Sequence, residues 1–331
     1  MKVATVIGAG GWGTAVALLL HETGHEVRIW GHDPVNLERM GRERENAKYL
    51  KDVALPDDLI LTTDHEAAVK SAKLIVSGVP TRHLREVMEP FRGLLPRDVP
   101  IVSLTKGIEV ETLKRPSQVL REIFAGHAVG ILSGPSHAEE VARRIPSSVV
   151  IAASGRERAR QLQRRFTTER FRVYANVDPV GVELAGALKN VIAIAAGVCD
   201  GLGFGDNTKS ALVTRGLVEM VRLGSKLGAR KQTFAGLAGM GDLITTAFSP
   251  HGRNRHVGQR LGEGQPLDRI LRETEKVAEG VYTTKAVMTL ARRHRVDMPI
   301  TLEVHDVLFE GKDAAAALQS LMTRSSKAES W

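Results

Sequence analysis

Lys2-Val-Ala-Thr-Val-Ile-Gly-Ala-Gly-Gly-Trp-Gly13 decides the fold. Its first half is a short run rich in β-branched residues and reads as a strand, and G-x-G-x-x-G stands at the strand's end. Helical periodicity follows as far as Leu20. In a strand–turn–helix setting Gly8 makes the turn, Gly10 lets the backbone approach a pyrophosphate, and Gly13 lets helix and strand pack closely. The helix N-terminus then faces the anion. Gly24 ends the helix and Val27–Trp30 is a second strand, which closes a βαβ unit. An NAD-type acid would stand at the end of that strand, where this chain has Gly31, with Asp33 two residues later. Asp33 is in reach of a ribose hydroxyl, but Asp33-Pro34 equally reads as a helix start. His32 would instead accommodate a 2′-phosphate, so NAD and NADP both stay open.

Outward from this unit the pattern repeats. Leu59–Thr62, Leu74–Gly78, Ile101–Leu104, Val129–Leu132, Val149–Ala152 and Phe171–Tyr174 read as strands, with helical segments such as Arg82–Glu89 and Ser136–Arg143 between them. The alternation predicts an α/β architecture with a doubly wound, largely parallel, Rossmann-type sheet. Ligands of such sheets bind beyond the C-terminal strand ends. Three segments stand there: Val79-Pro80, Thr105-Lys106-Gly107, and Ser133-Gly134-Pro135-Ser136 with Ser136 as an N-cap. Lys106, beside a glycine, is placed to hold a positive charge over an anionic substrate. After Tyr174 the strand signal stops. From Pro179 the chain reads as helices, Pro179–Val198, Thr208–Leu227 and shorter segments to Leu321. A boundary near residue 178 is expected, with a dinucleotide-binding domain over 1–178 and an all-helical substrate and catalytic domain over 179–331. Residues 325–331 read as a frayed end.

The helical half holds three clusters. Gly181–Asn207 is a long apolar helix, rich in alanine and leucine, that runs into Gly201, Gly203 and Gly205. Lys189 and Asn190 sit in its middle, and Lys189 shares its helical face with Ala185, Gly186, Ile192, Ala193, Ala196 and Gly197. Such small neighbours leave room for a ligand to approach the ammonium, and lost hydration lowers a lysine pKa toward the range useful for proton transfer. The other reading is a lysine that snorkels to the surface. Asp242, in Gly239-Met-Gly-Asp-Leu, is either a helix cap or the partner of a buried lysine. Arg253-Asn254, after Gly252, pairs an arginine fork with an amide in a manner that suits a phosphate, or else forms a solvated basic turn.

Composition narrows the function classes. Of 331 residues, 43% are hydrophobic and 25% charged, as in ordinary globular proteins, and no apolar run of membrane-spanning length is expected. The lone Cys199 excludes an internal disulfide and most cysteine-based metal sites and fits a reducing compartment; no EF-hand-like spacing is present, and no metal is expected. No signal peptide precedes the first strand, so a cytoplasmic protein is expected. The net charge of +8 raises nucleic acid as a partner, but acids and bases are interleaved and aromatics make up only 4%. The charge reads instead as solvation plus attraction for anionic small molecules.

Taken in order, Gly8-Ala-Gly-Gly-Trp-Gly-Thr-Ala15, Thr105-Lys-Gly107, Gly134-Pro-Ser-His-Ala138, Gly186-Ala-Leu-Lys-Asn-Val-Ile-Ala193, Gly239-Met-Gly-Asp-Leu243 and Arg253-Asn254 make the chain resemble NAD(P)-dependent glycerol-3-phosphate dehydrogenase, the bacterial type most of all. The resemblance spans nearly the whole chain. It implies a two-domain NAD(P) enzyme, expected as a homodimer, that interconverts dihydroxyacetone phosphate and sn-glycerol 3-phosphate for glycerophospholipid synthesis. It makes Lys189 the proton donor and acceptor and places Lys106, Gly134, Ser136, Asp242, Arg253 and Asn254 at the substrate. Asn190 would hydrogen-bond a substrate oxygen. Gly11, Trp12, His32, Ala138, Val277 and Glu279 would contact the dinucleotide, with Lys106 and Arg253 near both ligands. The family's bacterial pattern has serine where this chain has Gly252, which leaves the Gly252 N–H as the donor there. A different hydroxyacid or phosphosugar dehydrogenase on the same plan is the first rival, and a non-enzymatic dinucleotide- or nucleic-acid-binding protein the second.

Overall fold

The computed structural model describes residues 2–273, 277–325 and 328. The chain divides into two compact units, one formed by Met1–Lys106 with Arg115–Pro179 and the other by Gly107–Lys114 with Val180–Trp331.

The first unit is built on β1 (Lys2–Ile7), β2 (His25–Trp30), β3 (Glu45–Asn46), β4 (Leu50–Ala54), β5 (Ile60–Thr62), β6 (Ala72–Ser77), β7 (Ile101–Ser103), β8 (Val129–Ser133), β9 (Ser147–Ala152) and β10 (Phe171–Asn176). Eight of them form one sheet in the order β10-β9-β8-β7-β6-β1-β2-β5, and β3 and β4 form a separate hairpin. Every pair in the large sheet is parallel except β8–β9, which is antiparallel. The chain steps outward from β1 through β2 to β5, then returns to β6 on the other side of β1. That reversal is the switch point where ligands of open sheets bind. The central strands are buried on both faces, which explains their near-continuous apolar runs. Ala4 and Val6 point to a core with Val16, Leu20 and Phe166, while Val3 and Ile7 point to the opposite one with Leu84, Phe91 and Leu120.

All the strands read from the sequence are present, with ends shifted by a few residues. The β3–β4 hairpin has no sequence signal of its own, because Glu45-Asn46 is only two residues long and Leu50-Lys-Asp-Val-Ala54 is short and interrupted by two charges. Its value is tertiary. Asn46 is fully buried and donates to the Ala9 carbonyl at 2.9 Å and to Thr14 Oγ1 at 2.8 Å, which fastens the hairpin to the glycine loop.

The second unit is helical around Pro179–Gly201, whose Leu184, Leu188 and Val191 share a core with Leu217, Phe234 and Val287. The short segment Gly107–Lys114 adds Ile108 to that core, although it lies between β7 and β8 in sequence. Pro179–Gly201 also corrects the expectation about membrane-length segments: over 23 residues it is long and apolar enough to span a bilayer, with a mean hydropathy of 1.6. Its apolar window is 94% buried inside the protein, so it is a core helix. Helix Arg253–Gly262 crosses it backbone to backbone. A Cβ at Gly197 would lie 1.9 Å from the Arg255 carbonyl, and one at Gly258 would lie 1.9 Å from the Ile194 carbonyl. Of the end expected to fray, residues 326, 327 and 329–331 lie outside the described residues.

Candidate active-site residues

In the first unit, β1 runs through Gly8 and Gly10 into helix Gly11–Glu22. Gly8 has φ of +114°, and a Cβ there would meet the Gly78 backbone at 3.0 Å, where β1 and β6 end side by side. A Cβ at Gly13 would lie 2.1 Å from the Gly8 carbonyl, so only glycine lets the helix come this close. At Gly10, by contrast, no atom lies within 4 Å of the missing Cβ. Packing explains Gly8 and Gly13 but not Gly10, and an open backbone at a helix N-terminus fits a dinucleotide pyrophosphate. Gly11 is pressed against the Tyr49 carbonyl (2.6 Å to a Cβ) and lies near Ala138, which brings two expected cofactor residues together. Trp12 is half-buried, its ring tilted 6.5 Å from that of Phe171. His32 stands exposed two residues after the end of β2. Asp33 caps helix Pro34–Glu43 through the Asn36 N–H at 3.0 Å and pairs with Lys48 at 3.4 Å. Those partners hold its carboxyl below the usual carboxylate range, the Asn36 N–H most of all. Of the two readings of Asp33, the helix start is the one its hydrogen bonds make.

Lys106 follows β7, and its Nζ donates to the Gly134 carbonyl at 3.1 Å and lies 3.5 Å from Ser136 Oγ. Ser136 Oγ donates to the same carbonyl at 2.8 Å. Gly134 has φ of +133°, a backbone region that L side chains rarely adopt. Three residues read from two different strand ends thus form one cluster.

In the second unit Lys189 is 5% exposed, Asp242 2% and Thr246 6%. Lys189 Nζ lies 2.5 Å from Asp242 Oδ1 and 2.5 Å from Thr246 Oγ1. Thr246 Oγ1 also donates to the Asp242 carbonyl at 2.6 Å. Lys189 therefore does not snorkel, and Asp242 is its partner rather than a cap. A π-helical turn, Leu237–Gly241, delivers Asp242 to the lysine, a distortion common at functional sites. The glycines after the helix divide their work: Gly201 packs under the Gln259 carbonyl, Gly203 turns with φ of +74°, and Gly205 precedes helix Asp206–Lys226.

Helix Arg253–Gly262 begins with the Arg253-Asn254 pair. Arg253 is exposed and donates from Nη1 to the Val277 carbonyl at 3.0 Å. Asn254 is buried, and its Oδ1 accepts from the Gly280 N–H at 2.9 Å. A Cβ at Gly280 would lie 2.7 Å from the Asn190 carbonyl, and Glu279 is the first residue of the same helix. Asn190, Arg253, Asn254, Val277 and Glu279 therefore converge. One detail changes: the Gly252 N–H donates to the Ser249 carbonyl at 3.2 Å instead of pointing freely at a ligand. A Cβ on Gly252 would lie 2.8 Å from the Thr246 carbonyl, so the glycine serves close packing here.

The family profiles described as NAD-dependent glycerol-3-phosphate dehydrogenase N-terminus and C-terminus match residues 3–159 and 178–319. The chain belongs to this dehydrogenase family. Glycerol-3-phosphate dehydrogenase [NAD(P)+] 2 of Salinibacter ruber is 48% identical over 330 residues, covering 99% of this chain and 96% of its own. Glycerol-3-phosphate dehydrogenase [NAD(P)+] of a Thermoanaerobacter species is 47% identical with 99% of both chains covered. Among solved structures, glycerol-3-phosphate dehydrogenase from Coxiella burnetii superposes with a TM-score of 0.94 at 37% identity, over 98% of this chain and 99% of that one. A D-mandelate dehydrogenase, 14% identical with a TM-score of 0.63, shares the fold alone. Thr246, Asn46 and Gly280 join the candidate site through contacts that sequence reasoning missed. A threonine four residues after Asp242 on one helix was the available signal for the first; the other two act through tertiary contacts that no local pattern marks.

Proposed function

We propose that the protein interconverts dihydroxyacetone phosphate and sn-glycerol 3-phosphate with NAD(P)H, that the first unit binds the dinucleotide, and that the second carries the proton transfer. The observation that carries this reading is the buried lysine held by a carboxylate and a hydroxyl, on a helix packed directly against the helix that begins with Arg253-Asn254. When bound, the nicotinamide supplies or accepts a hydride. Negative charge then develops on the substrate oxygen, and the Lys189 ammonium stabilises that oxygen and gives it a proton; in the reverse direction neutral Lys189 takes the proton back. Asp242 and Thr246 fix the direction in which Nζ points. Arg253, with the first N–H groups of its helix, holds the phosphate, and Asn190 orients a substrate oxygen. Lys106, with Ser136 and the Gly134 backbone, adds a fixed positive charge for the anionic ligands. Gly8, Gly10, Gly11, Trp12 and Gly13 hold the pyrophosphate side of NAD(P), with His32 at the ribose and Ala138, Val277 and Glu279 completing the contacts.

The decisive measurement is the initial rate of NADH and of NADPH oxidation by the purified protein with dihydroxyacetone phosphate. Oxidation that requires the phosphate ester supports the reading. Folded, dinucleotide-binding protein without that rate moves the assignment to another phosphosugar or hydroxyacid. A homodimer, a cytoplasmic location and a supply of glycerol phosphate to phospholipid synthesis complete the proposal. Light scattering, fractionation and the lipid labelling of a deletion strain test them.

A further inference from the structure

Asp200 stands at the C-terminal end of helix Pro179–Gly201, three turns beyond Lys189, and the reaction as derived makes no use of it. Its two oxygens each hold one cation: Oδ1 lies 2.5 Å from Lys209 Nζ, and Oδ2 accepts from Arg255 Nε at 2.5 Å. Among the described residues, neither cation has another carboxylate partner. Lys209 is 7% exposed, an ammonium sunk in the protein at the start of helix Asp206–Lys226. Its Nζ also lies 4.9 Å from the centre of the Phe248 ring, within cation–π range. Phe248 is the last residue of helix Asp242–Phe248, which carries the two partners of Lys189. Arg255 stands two residues beyond Arg253, in the first turn of the next helix.

One carboxylate therefore secures both ends of the turn Ser249–Gly252. Through Lys209 and Phe248 it holds the helix of Asp242 and Thr246, and through Arg255 it holds the helix that opens with Arg253-Asn254. We propose that Asp200, acting through Lys209 and Arg255, is a positioning residue that keeps the phosphate-binding turn in register with Lys189. This inference rests on the glycerol-3-phosphate dehydrogenase reading. A bidentate contact tolerates little displacement, and loss of registry weakens binding of the substrate's phosphate before it touches proton transfer or the dinucleotide loop of the other unit.

The test is steady-state kinetics of the full-length chain. Wild-type turnover of dihydroxyacetone phosphate comes first, because its absence would defeat the functional reading itself rather than this inference. Asp200→Asn is expected to raise KM for dihydroxyacetone phosphate about tenfold or more while kcat changes by less than about threefold. Inorganic phosphate, used as a competing probe, should inhibit the variant correspondingly less, and the NAD(P)H Kd should stay at the wild-type value. Asp200→Glu should recover part of the KM loss. Should Asp200→Asn fail to fold, Arg255→Gln severs the same link at its more exposed end and should show the same selective rise in KM. A KM and phosphate inhibition constant like wild type in the folded variants would overturn the proposal. A loss shared equally by kcat and dinucleotide binding would overturn it too, since that marks a purely structural role.

Discussion

At the scale of single residues, glycines and a lysine divide packing from chemistry. Gly13 and Gly10 belong to one fingerprint, yet a Cβ at Gly13 collides with the Gly8 carbonyl whereas a Cβ at Gly10 meets nothing. Gly13→Ala is therefore expected to destabilise the protein by about 1–3 kcal/mol or more, read from the urea midpoint. Gly10→Ala should leave that midpoint nearly unchanged and still weaken NAD(P)H binding at least tenfold, measured by cofactor fluorescence. Equal effects of the two would refute the division. Lys189→Ala should lower kcat by about 10²–10⁴-fold with little change in dinucleotide Kd, the magnitude expected for loss of a general acid. Near-normal turnover would remove Lys189 from the chemistry. The glycine pattern and the lysine with its small neighbours were legible in the sequence. The partner of Lys189 was legible only as one of two readings, because Asp242 lies 53 positions away and offers, in isolation, an equally good helix cap.

At the scale of elements, two contacts hold helices of the second unit together. The crossing of Pro179–Gly201 with Arg253–Gly262 depends on Gly197 and Gly258, each of which would drive a Cβ to 1.9 Å from a backbone carbonyl. The second contact is Glu219, on helix Asp206–Lys226, which accepts from the Ile300 N–H at 2.6 Å, the Thr301 N–H at 3.1 Å and the Thr301 hydroxyl at 2.9 Å. It caps helix Pro299–Phe309 from a neighbouring helix. Burial pushes the Glu219 carboxyl up to about 7, against the donors that favour its ionised form. A raised pKa means that the folded chain keeps a proton the unfolded chain has released. Stability from this group is thus full below the unfolded value of 4.5 and is lost as pH rises toward 7. The stability gap between wild type and Glu219→Gln should therefore narrow by up to about 3 kcal/mol between pH 4.5 and 7.5. Urea titrations at the two pH values measure it, and a constant or widening gap would refute the assignment. Nothing in the local sequence marks this cap, since Glu219 and Thr301 lie 82 positions apart.

At the scale of the whole molecule, a net charge of +8 belongs to a protein whose proposed ligands are all anionic. With Lys106 and Arg253 proposed to hold those ligands, kcat/KM for dihydroxyacetone phosphate should fall several-fold as ionic strength is raised, because salt screens steering over the Debye length. A flat salt profile would make the charge a matter of solvation alone. The sequence by itself determined the architecture: strands announced by β-branched runs, glycine turns at their ends and an abrupt change to helical periodicity after Tyr174 are all local signals. It also marked most of the candidate site residues, since a glycine fingerprint and strand-end positions carry meaning without knowledge of the fold. Only the tertiary structure decided what those residues touch. It paired Lys189 with Asp242 and Thr246, made Asp33 a helix cap held by Lys48, set Gly252 to close packing with its N–H on the Ser249 carbonyl, and fastened the glycine loop through a hairpin that its own short strands do not advertise. The reason is physical. Backbone conformation is largely set by neighbours within a few residues, whereas the partner of a buried charge is chosen by whichever distant group the packed core brings within hydrogen-bonding distance.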